Sequence, residues 1–360
     1  MQLGIVGLPS SGKSTLFQAI TKTHLDRAAI AKEAHVGVVK VPDERLDKCS
    51  TIFSPKSTVY ATIEFVDVAG LKKGASGTTQ FTTGFLSAVK TNDALIQVVR
   101  CFRNDAMPHP DGSIDPLRDV ATFETEFILA DMAVLESRIE KIHKQLGRTN
   151  DDVMKRELPV LEKCLALLHE EKPLRNEDFS KEELHLLKTY QLLSLKPMLI
   201  ALSLDESQQS IKDEEIARVA AAKAGLRTRV VAFFGKIDME MSELSADEAR
   251  LFMDEYGIRE SALDTLIREA YALLGLQSFL TVGEDECRAW TTRIGMTAQE
   301  AAGVIHSDFV TKFIRAEVVH YDDFIAAGGS FAKAKEAGHW RLEGKAYEVK
   351  DGDILNIRHG

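Results

Sequence analysis

One octapeptide near the N-terminus constrains this chain more than any other stretch: Gly7-Leu8-Pro9-Ser10-Ser11-Gly12-Lys13-Ser14. It follows the apolar run Leu3-Gly4-Ile5-Val6 and leads into Thr15-Leu16-Phe17-Gln18-Ala19-Ile20, which reads as the first turns of a helix. A Gly-x-x-x-x-Gly-Lys-Ser pattern between strand and helix is a phosphate-binding loop. Glycines let the backbone curl so that successive amides point inward at the positive end of a helix. The segment Ser10, Ser11, Gly12, Lys13, Ser14 and Thr15 is therefore the expected cradle for a nucleoside triphosphate. Lys13 is placed to reach the β- and γ-phosphates, and the Ser14 hydroxyl to ligate Mg²⁺.

The chain has 360 residues and a formal net charge of -10, enough length for two or three domains and the wrong sign for bulk coating of nucleic acid. Cys49, Cys101, Cys164 and Cys287 are scattered without a C-x-x-C pair, as expected of buried thiols in a reducing compartment. The N-terminus enters a strand with no basic flank or cleavable apolar stretch, and no apolar run has the length to span a bilayer. The expected location is the cytoplasm, with no membrane contact.

Strand-like and polar segments alternate over residues 1–100, the pattern of a mostly parallel α/β sheet. Residues 24–34 read as a loop, 36–41 as a strand, and 58–66 as one alternating strand ending on Asp67-Val68-Ala69-Gly70. A D-x-x-G at the end of a strand, downstream of a phosphate loop, places Asp67 to hold Mg²⁺ through water and the Gly70 amide to sense a γ-phosphate. Residues 71–83 read as a switch loop and 93–100 as a buried strand. The loop at 104–116 carries His109, which on spacing alone is a solvated histidine.

Beyond Val120 the period changes. Ile128, Met132, Leu135, Ile139, Ile142 and Leu146 form a heptad seam, and Met154, Leu158, Leu161, Leu165 and Leu168 form a second after a polar turn. Two such helices make an antiparallel hairpin, in which Pro159 either kinks the second helix or marks its first turn. Ser180-x-x-Glu183 is a capping box for a third helix through Leu184, Leu187 and Leu193. Strands return at 197–202 and 230–234, with helices at 214–224, after Ser245-x-x-Glu248, and at 261–274. From Ser278 short strands at 279–282, 313–319, 347–349 and 354–357, with glycine turns, indicate an α+β module.

These motifs resemble the YchF/Obg-like ATPases, a branch of the Obg group of P-loop GTPases. The likeness rests on the phosphate loop and on Glu64-Phe65-Val66-Asp67-Val68-Ala69-Gly70-Leu71 with Lys73-Gly74-Ala75-Ser76. It continues through Val99-Arg100-Cys101-Phe102, Leu195-Lys196-Pro197, Arg288-Ala289-Trp290-Thr291 and Lys350-Asp351-Gly352-Asp353. It implies a Ras-like α/β G domain at residues 1–118 and 196–277, a coiled-coil arm at 119–195 and a β-grasp TGS domain at 278–360. It also implies a slow Mg²⁺-dependent ATPase acting as a translation- or stress-linked switch. Ribosome or ribosomal RNA is the implied partner, with the arm or the TGS domain as a surface for protein partners.

The resemblance sharpens several residues. Leu71 stands where Ras-like enzymes place a water-orienting glutamine, and His109 matches the loop histidine thought to replace it. The family's N-x-x-E base-reading motif aligns with Ser203, Leu204, Asp205 and Glu206, so Ser203, Leu204 and Glu206 are the expected contacts to the base, with ATP preferred over GTP. Ser203 replaces the asparagine and offers one donor instead of two. Ser10 replaces a family asparagine, and Ala31 stands where a switch threonine completes Mg²⁺ coordination, leaving Ser14, Asp67, phosphate and water. Two alternatives stay open on these residues: a turnover-deficient nucleotide scaffold, and a GTP-preferring Obg-type enzyme.

Overall fold

The buried apolar runs assemble as a parallel sheet whose loops gather at one end. A computed structural model describes the whole chain except residues 23–34, 69–71, 74–78, 148–150, 224, 257 and 259. Ala31, Gly70 and Leu71 lie outside the described residues, as does much of each expected switch loop. In chain order the strands are β1 (Gln2–Gly7), β2 (His35–Lys40), β3 (Ser57–Val59), β4 (Thr62–Asp67), β5 (Lys72–Lys73), β6 (Thr79–Gln80), β7 (Ala94–Arg100), β8 (Met198–Leu204), β9 (Thr228–Phe234), β10 (Leu276–Thr281), β11 (Glu286–Arg293), β12 (Phe313–His320), β13 (Arg341–Glu343) and β14 (Asp353–His359).

The described residues gather into two compact units, Met1–Gly37 with Glu64–Leu273 and Val38–Ile63 with Leu274–Gly360. The first is built on a sheet of order β2-β4-β1-β7-β8-β9. The pairs β4–β1, β1–β7, β7–β8 and β8–β9 are all parallel. Every residue of β7 and β8 is buried, as parallel strands covered on both faces require. The helix α1 (Lys13–Thr21) follows β1 directly and buries Leu16, Phe17, Ala19 and Ile20.

The seams fold as expected. The helix Pro116–Leu146 starts with Asp115 accepting from the Arg118 amide and with Pro116 in its first turn, and it buries Ile128, Leu135 and Ile142. The helix Asp152–His169 returns Leu161, Cys164 and Leu168 to the same core. Pro159 lies inside that helix and not at its first turn. The arm is pinned by Arg138, which donates to Glu157 at 2.7 Å, and by Asp131, fully buried, which accepts from the Leu193 and Ser194 amides at 2.8 and 2.7 Å. The Ser180 capping box forms, but its helix ends at Leu187 and gives way to a 3₁₀ turn at Lys188–Tyr190. Leu193, expected on that helix, lies beyond it, its amide taken by Asp131.

In the second unit the sheet order is β13-β12-β14-β10-β11-β3, crossed by the helix Ala298–Ile305 over a core of Phe279, Ala301, Ala302, Val318 and Leu355. Parallel β10 and β14 between antiparallel neighbours make this a β-grasp fold. Two expectations fail here. Residues 58–66 are two strands: β3 joins β11 in parallel, β4 joins β1, and Tyr60 and Ala61 lie between them. Alternation continues on both sides of the break, so periodicity carries no sign of it, and pairing partners decide. Residues 347–349 form no strand, only an isolated bridge between Thr297 and Glu348. The β-grasp unit thus takes in Val38–Ile63, a segment inside the range assigned from sequence to the G domain. Within it Arg45 holds both Asp43, at 2.9 Å, and Asp351, at 2.8 Å.

Replacing Asp131 strands two buried amides. Asp131→Ala is expected to lower unfolding stability by about 2–4 kcal/mol in urea titration, with helicity by circular dichroism retained.

Candidate functional site

The loop between β1 and α1 is shaped by close approach. A Cβ on Gly7 would stand 2.6 Å from the Val98 carbonyl oxygen and 2.7 Å from Ser11 Oγ, so no side chain fits. Ser10 and Gly12 adopt left-handed backbone at φ 62° and 103°, and the Ser11 amide closes on the Leu8 carbonyl at 3.2 Å. A Cβ on Gly12 would meet Ser203 Oγ at 3.0 Å, which sets the cradle against the end of β8.

The N-terminus of α1 is left open. Its N-cap, Gly12, supplies no side-chain acceptor, and no acidic residue stands in the first turn. The helices Glu44–Phe53, Thr83–Lys90, Pro116–Leu146 and Asp152–His169 all begin with a side chain accepting from a backbone amide. Free amides at a positive helix end are an anion site. Lys13 opens that helix half-buried, and burial pushes its ammonium below the ordinary value against the pull of Asp67. Asp67, at the end of β4, is 4 % exposed. Burial pushes its carboxyl up, offset by the Lys13 and His35 charges, and its Oδ1 has no hydrogen-bond partner. Ser11 Oγ is likewise buried and unpaired. A desolvated carboxylate oxygen without a partner, near the lysine of a phosphate cradle, suits a hard divalent cation.

Beside the cradle lies a cavity of about 480 Å³ at the carboxyl ends of the parallel strands. Gly12 and Thr15 form its floor, Ser203, Leu204, Asp205 and Glu206 follow β8, and Phe102, Asn104 and Met107 come from the loop after β7. The remaining wall is Phe234, Gly235, Lys236 and Met239 at the start of the helix Gly235–Glu243. The structure therefore brings Gly12, Thr15, Ser203, Leu204 and Glu206 together around one cavity. It also qualifies them: Glu206 pairs with Lys236 at 3.2 Å, and Asp205 caps the next turn by accepting from the Ser207 amide at 3.1 Å.

Sequence reasoning missed the Phe102–Met107 and Phe234–Met239 walls. Their one available signal was position, since each follows a buried parallel strand. The first wall is held by Arg100, 2 % exposed, which donates through Nε to the Phe102 carbonyl at 3.0 Å and stacks 4.6 Å from the Phe102 ring centroid.

His109 is placed differently from expectation. It is not solvated: its Nε2 lies 2.9 Å from Asp119 Oδ2, and its Nδ1 accepts from the Asp111 amide at 3.1 Å. Arg118 holds the other oxygen of Asp119 at 2.8 Å. The imidazole does not line the cavity. Spacing could not reveal this, because Asp119 sits in the first turn of the next helix and meets His109 only when the loop folds back.

An open helix end behind a Gly-x-x-x-x-Gly-Lys-Ser loop, on a parallel sheet with a buried aspartate on the adjacent strand, defines a P-loop nucleotide-binding protein of GTPase type. Comparison with known proteins narrows the class. Residues 2–130 match a family model described as a 50S ribosome-binding GTPase, and residues 276–360 match the YchF-GTPase C-terminal model, described as a protein of unknown function. The chain is 44% identical over 360 residues to the ribosome-binding ATPase YchF of Bacillus subtilis, covering 99% of this chain and 98% of that one. It is 42% identical to the protein of that name from Haemophilus influenzae, with the same coverage. The solved structure of the Schizosaccharomyces pombe YchF GTPase matches with a TM-score of 0.86 at 32% identity, over 99% of this chain and 97% of that one. The chain belongs to the YchF family.

Asp238 supports the cavity wall from below, buried at 3 % exposure and accepting from the Phe234 amide at 2.7 Å. Burial first, and Asp264 last, push its carboxyl up to about 6 against the Phe234 amide and Lys212. A raised carboxyl contributes stability that is full below its unfolded value near 3.8 and is lost as pH rises through about 6. Asp238→Asn keeps the acceptor and removes the charge. The variant is expected to be more stable than the parent by about 1–2 kcal/mol at pH 8, with the gain gone near pH 4, in urea titrations at both values.

Proposed function

We propose that this chain is a Mg²⁺-dependent ATPase that associates with the ribosome and works as a nucleotide-controlled switch in the cytoplasm. The observation that carries the reading is the open N-terminus of α1, with half-buried Lys13 and the unpaired Asp67 Oδ1 beside a base-sized cavity. Amides of Ser10 to Thr15 hold the phosphates, and Lys13 neutralises charge on the β- and γ-oxygens. Ser14 and Asp67 are the residues to hold Mg²⁺, which supplies Lewis-acid neutralisation of the transferring phosphoryl group when bound. The Gly70 amide is the proposed sensor of the γ-phosphate.

Adenine is favoured because neither carboxylate after β8 is free to take the paired N1 and N2 hydrogens of guanine. Asp205 is occupied by Ser207, and Glu206 by Lys236. Ser203 and Leu204 border the base from the strand end. His109 is the proposed group that positions the attacking water, and to act it must leave Asp119. Residues 1–37, 64–118 and 196–273 carry the nucleotide, while the arm at 119–195 and the β-grasp unit of 38–63 with 274–360 are left for ribosomal RNA or protein partners. The name of the relatives in Bacillus subtilis and Haemophilus influenzae, ribosome-binding ATPase, supports the partner and the reaction.

The test is a side-by-side titration and hydrolysis assay with ATP and GTP, with and without Mg²⁺, on the parent, Asp67→Asn and His109→Ala. Expected is ATP hydrolysis by the parent, with GTP bound at least about tenfold more weakly, one unpaired hydrogen-bonding group being worth about that factor. Asp67→Asn is expected to lose the Mg²⁺-dependent rise in unfolding temperature with ATP. Without nucleotide it should be no less stable than the parent at pH 7.5, because a carboxyl raised by burial destabilises the fold once ionised. His109→Ala is expected to bind ATP and fail to turn it over. GTP displacing ATP at lower concentration overturns the base assignment, and tight ATP binding without product overturns the enzyme.

A further inference from the structure

On one side of β14 the β-grasp sheet opens. β14 pairs with β12 from His359 opposite Phe313 to Asp353 opposite His320. Its other neighbour, β10, is joined to it only at Leu280 and Ile354. β10 ends at Thr281 and turns back through a hairpin into β11, while β14 runs on in the same direction to His359. Among the described residues no strand pairs with β14 on that side beyond Ile354. Peptide groups of residues 355–358 that point away from β12 face a space there.

A cavity of about 550 Å³ occupies that space, and Ile354, Leu355, Asn356 and Ile357 all line it. Consecutive side chains of a strand point to opposite faces, so a cavity bordered by this unbroken run follows the strand's edge. Its walls are aromatic. Trp290 and Phe309 belong to the core under the helix Ala298–Ile305. Phe331 and Trp340 meet edge to face at 5.2 Å on the other wall, with the Phe324 ring tilted against Phe331 behind it at 4.8 Å.

Open edges are normally blunted by charge, proline or a covering element. Arg358 does not guard this one, because Glu317 on β12 takes its guanidinium at 2.6 Å. The mouth is acidic instead: Glu284 and Asp285 are exposed on the hairpin, and Glu286 lines the cavity. Lys56 answers Asp285 at 2.6 Å, and Arg288, stacked on Trp290, reaches Glu286 at 3.9 Å, so three carboxylates face two cations and the mouth stays net negative.

We propose that this groove binds an extended, basic peptide segment of a partner protein as an added strand. The peptide main chain pairs with the free edge of β14, its apolar side chains alternate between the two aromatic walls, and its lysines or arginines lie against the acidic hairpin. The charge at the mouth selects a cationic segment over RNA, whose phosphates it repels.

The chain has two tryptophans, Trp290 and Trp340, and both line the groove, so tryptophan emission of the full chain reports on it directly. The probes are a synthetic peptide of about eight residues, a typical strand length, alternating valine and leucine with lysine, and the same peptide with glutamates for lysines. Two further versions are N-methylated at every second residue, one in each register, and oligoadenylate stands for RNA. Expected is a saturable change with the lysine peptide, lost in one N-methylated register and kept in the other, and weakened at least about tenfold by glutamates. Glu284→Lys combined with Glu286→Lys, at the rim where the fold is undisturbed by circular dichroism, is expected to weaken the lysine peptide by a similar factor. Equal binding by both N-methylated peptides, a shift with oligoadenylate but not with peptide, or unchanged emission up to millimolar peptide overturns the proposal.

Discussion

The nucleotide site depends on one partly desolvated electrostatic arrangement, half-buried Lys13 and buried Asp67 held at the ends of neighbouring secondary structures. Both groups are driven by burial toward their neutral forms, the ammonium down and the carboxyl up. Neither would be placed there by a fold seeking stability alone, since burying charge is costly unless it is answered. The answer under the proposed function is a ligand with both signs: phosphate for Lys13 and the open end of α1, a divalent cation for Asp67. The rest of the first unit makes this affordable. Fully buried β7 and β8 fix the loop ends, and Gly7 and Gly12 bring the cradle into contact with Val98 and Ser203.

Much of this was legible because it is local. The phosphate loop, the strand before it, the two heptad seams and the Ser180 capping box each follow from spacing within a short window, and each forms. The failures are nonlocal. The alternation from Thr58 to Val66 is real, yet β3 and β4 take partners in different sheets. Leu193 fits a helical period and is instead fixed by Asp131, far away in sequence. The cavity walls at Phe102 and Phe234 are apolar residues at strand ends, and only the parallel order of β7, β8 and β9 reveals that those ends converge.

His109 is the instructive case. Its loop position suggested a free imidazole, while the structure seats it on Asp119, itself braced by Arg118. Burial raises the Asp119 carboxyl, and Arg118 and His109 pull it back. The role proposed for His109 requires it to leave this seat. Leaving it exposes a buried carboxylate that still has Arg118 as partner, so release strands no charge without a counterion. That is the condition for a reversible excursion, because removing one member of a buried pair is prohibitive only when the other is left alone.

The same reasoning bears on Ser203. A shorter hydroxyl at this position looks like a loss when set against a carboxamide. In the folded chain its Oγ would stand 3.0 Å from a Cβ on Gly12 and 3.9 Å from one on Gly235, so the space around it is already occupied by the phosphate loop and the second cavity wall. Ser203 is also 2 % exposed, and its carbonyl accepts from the Cys101 amide at 2.9 Å. The residue therefore joins the cradle to both walls by fit, and the ion pair of Lys236 and Glu206 stands at the rim in solvent. Selectivity built on an exposed ion pair is weaker than selectivity built on buried amides, since water competes for both partners. The proposed preference for adenine therefore rests on carboxylates that already have partners, not on a buried amide contact to the base.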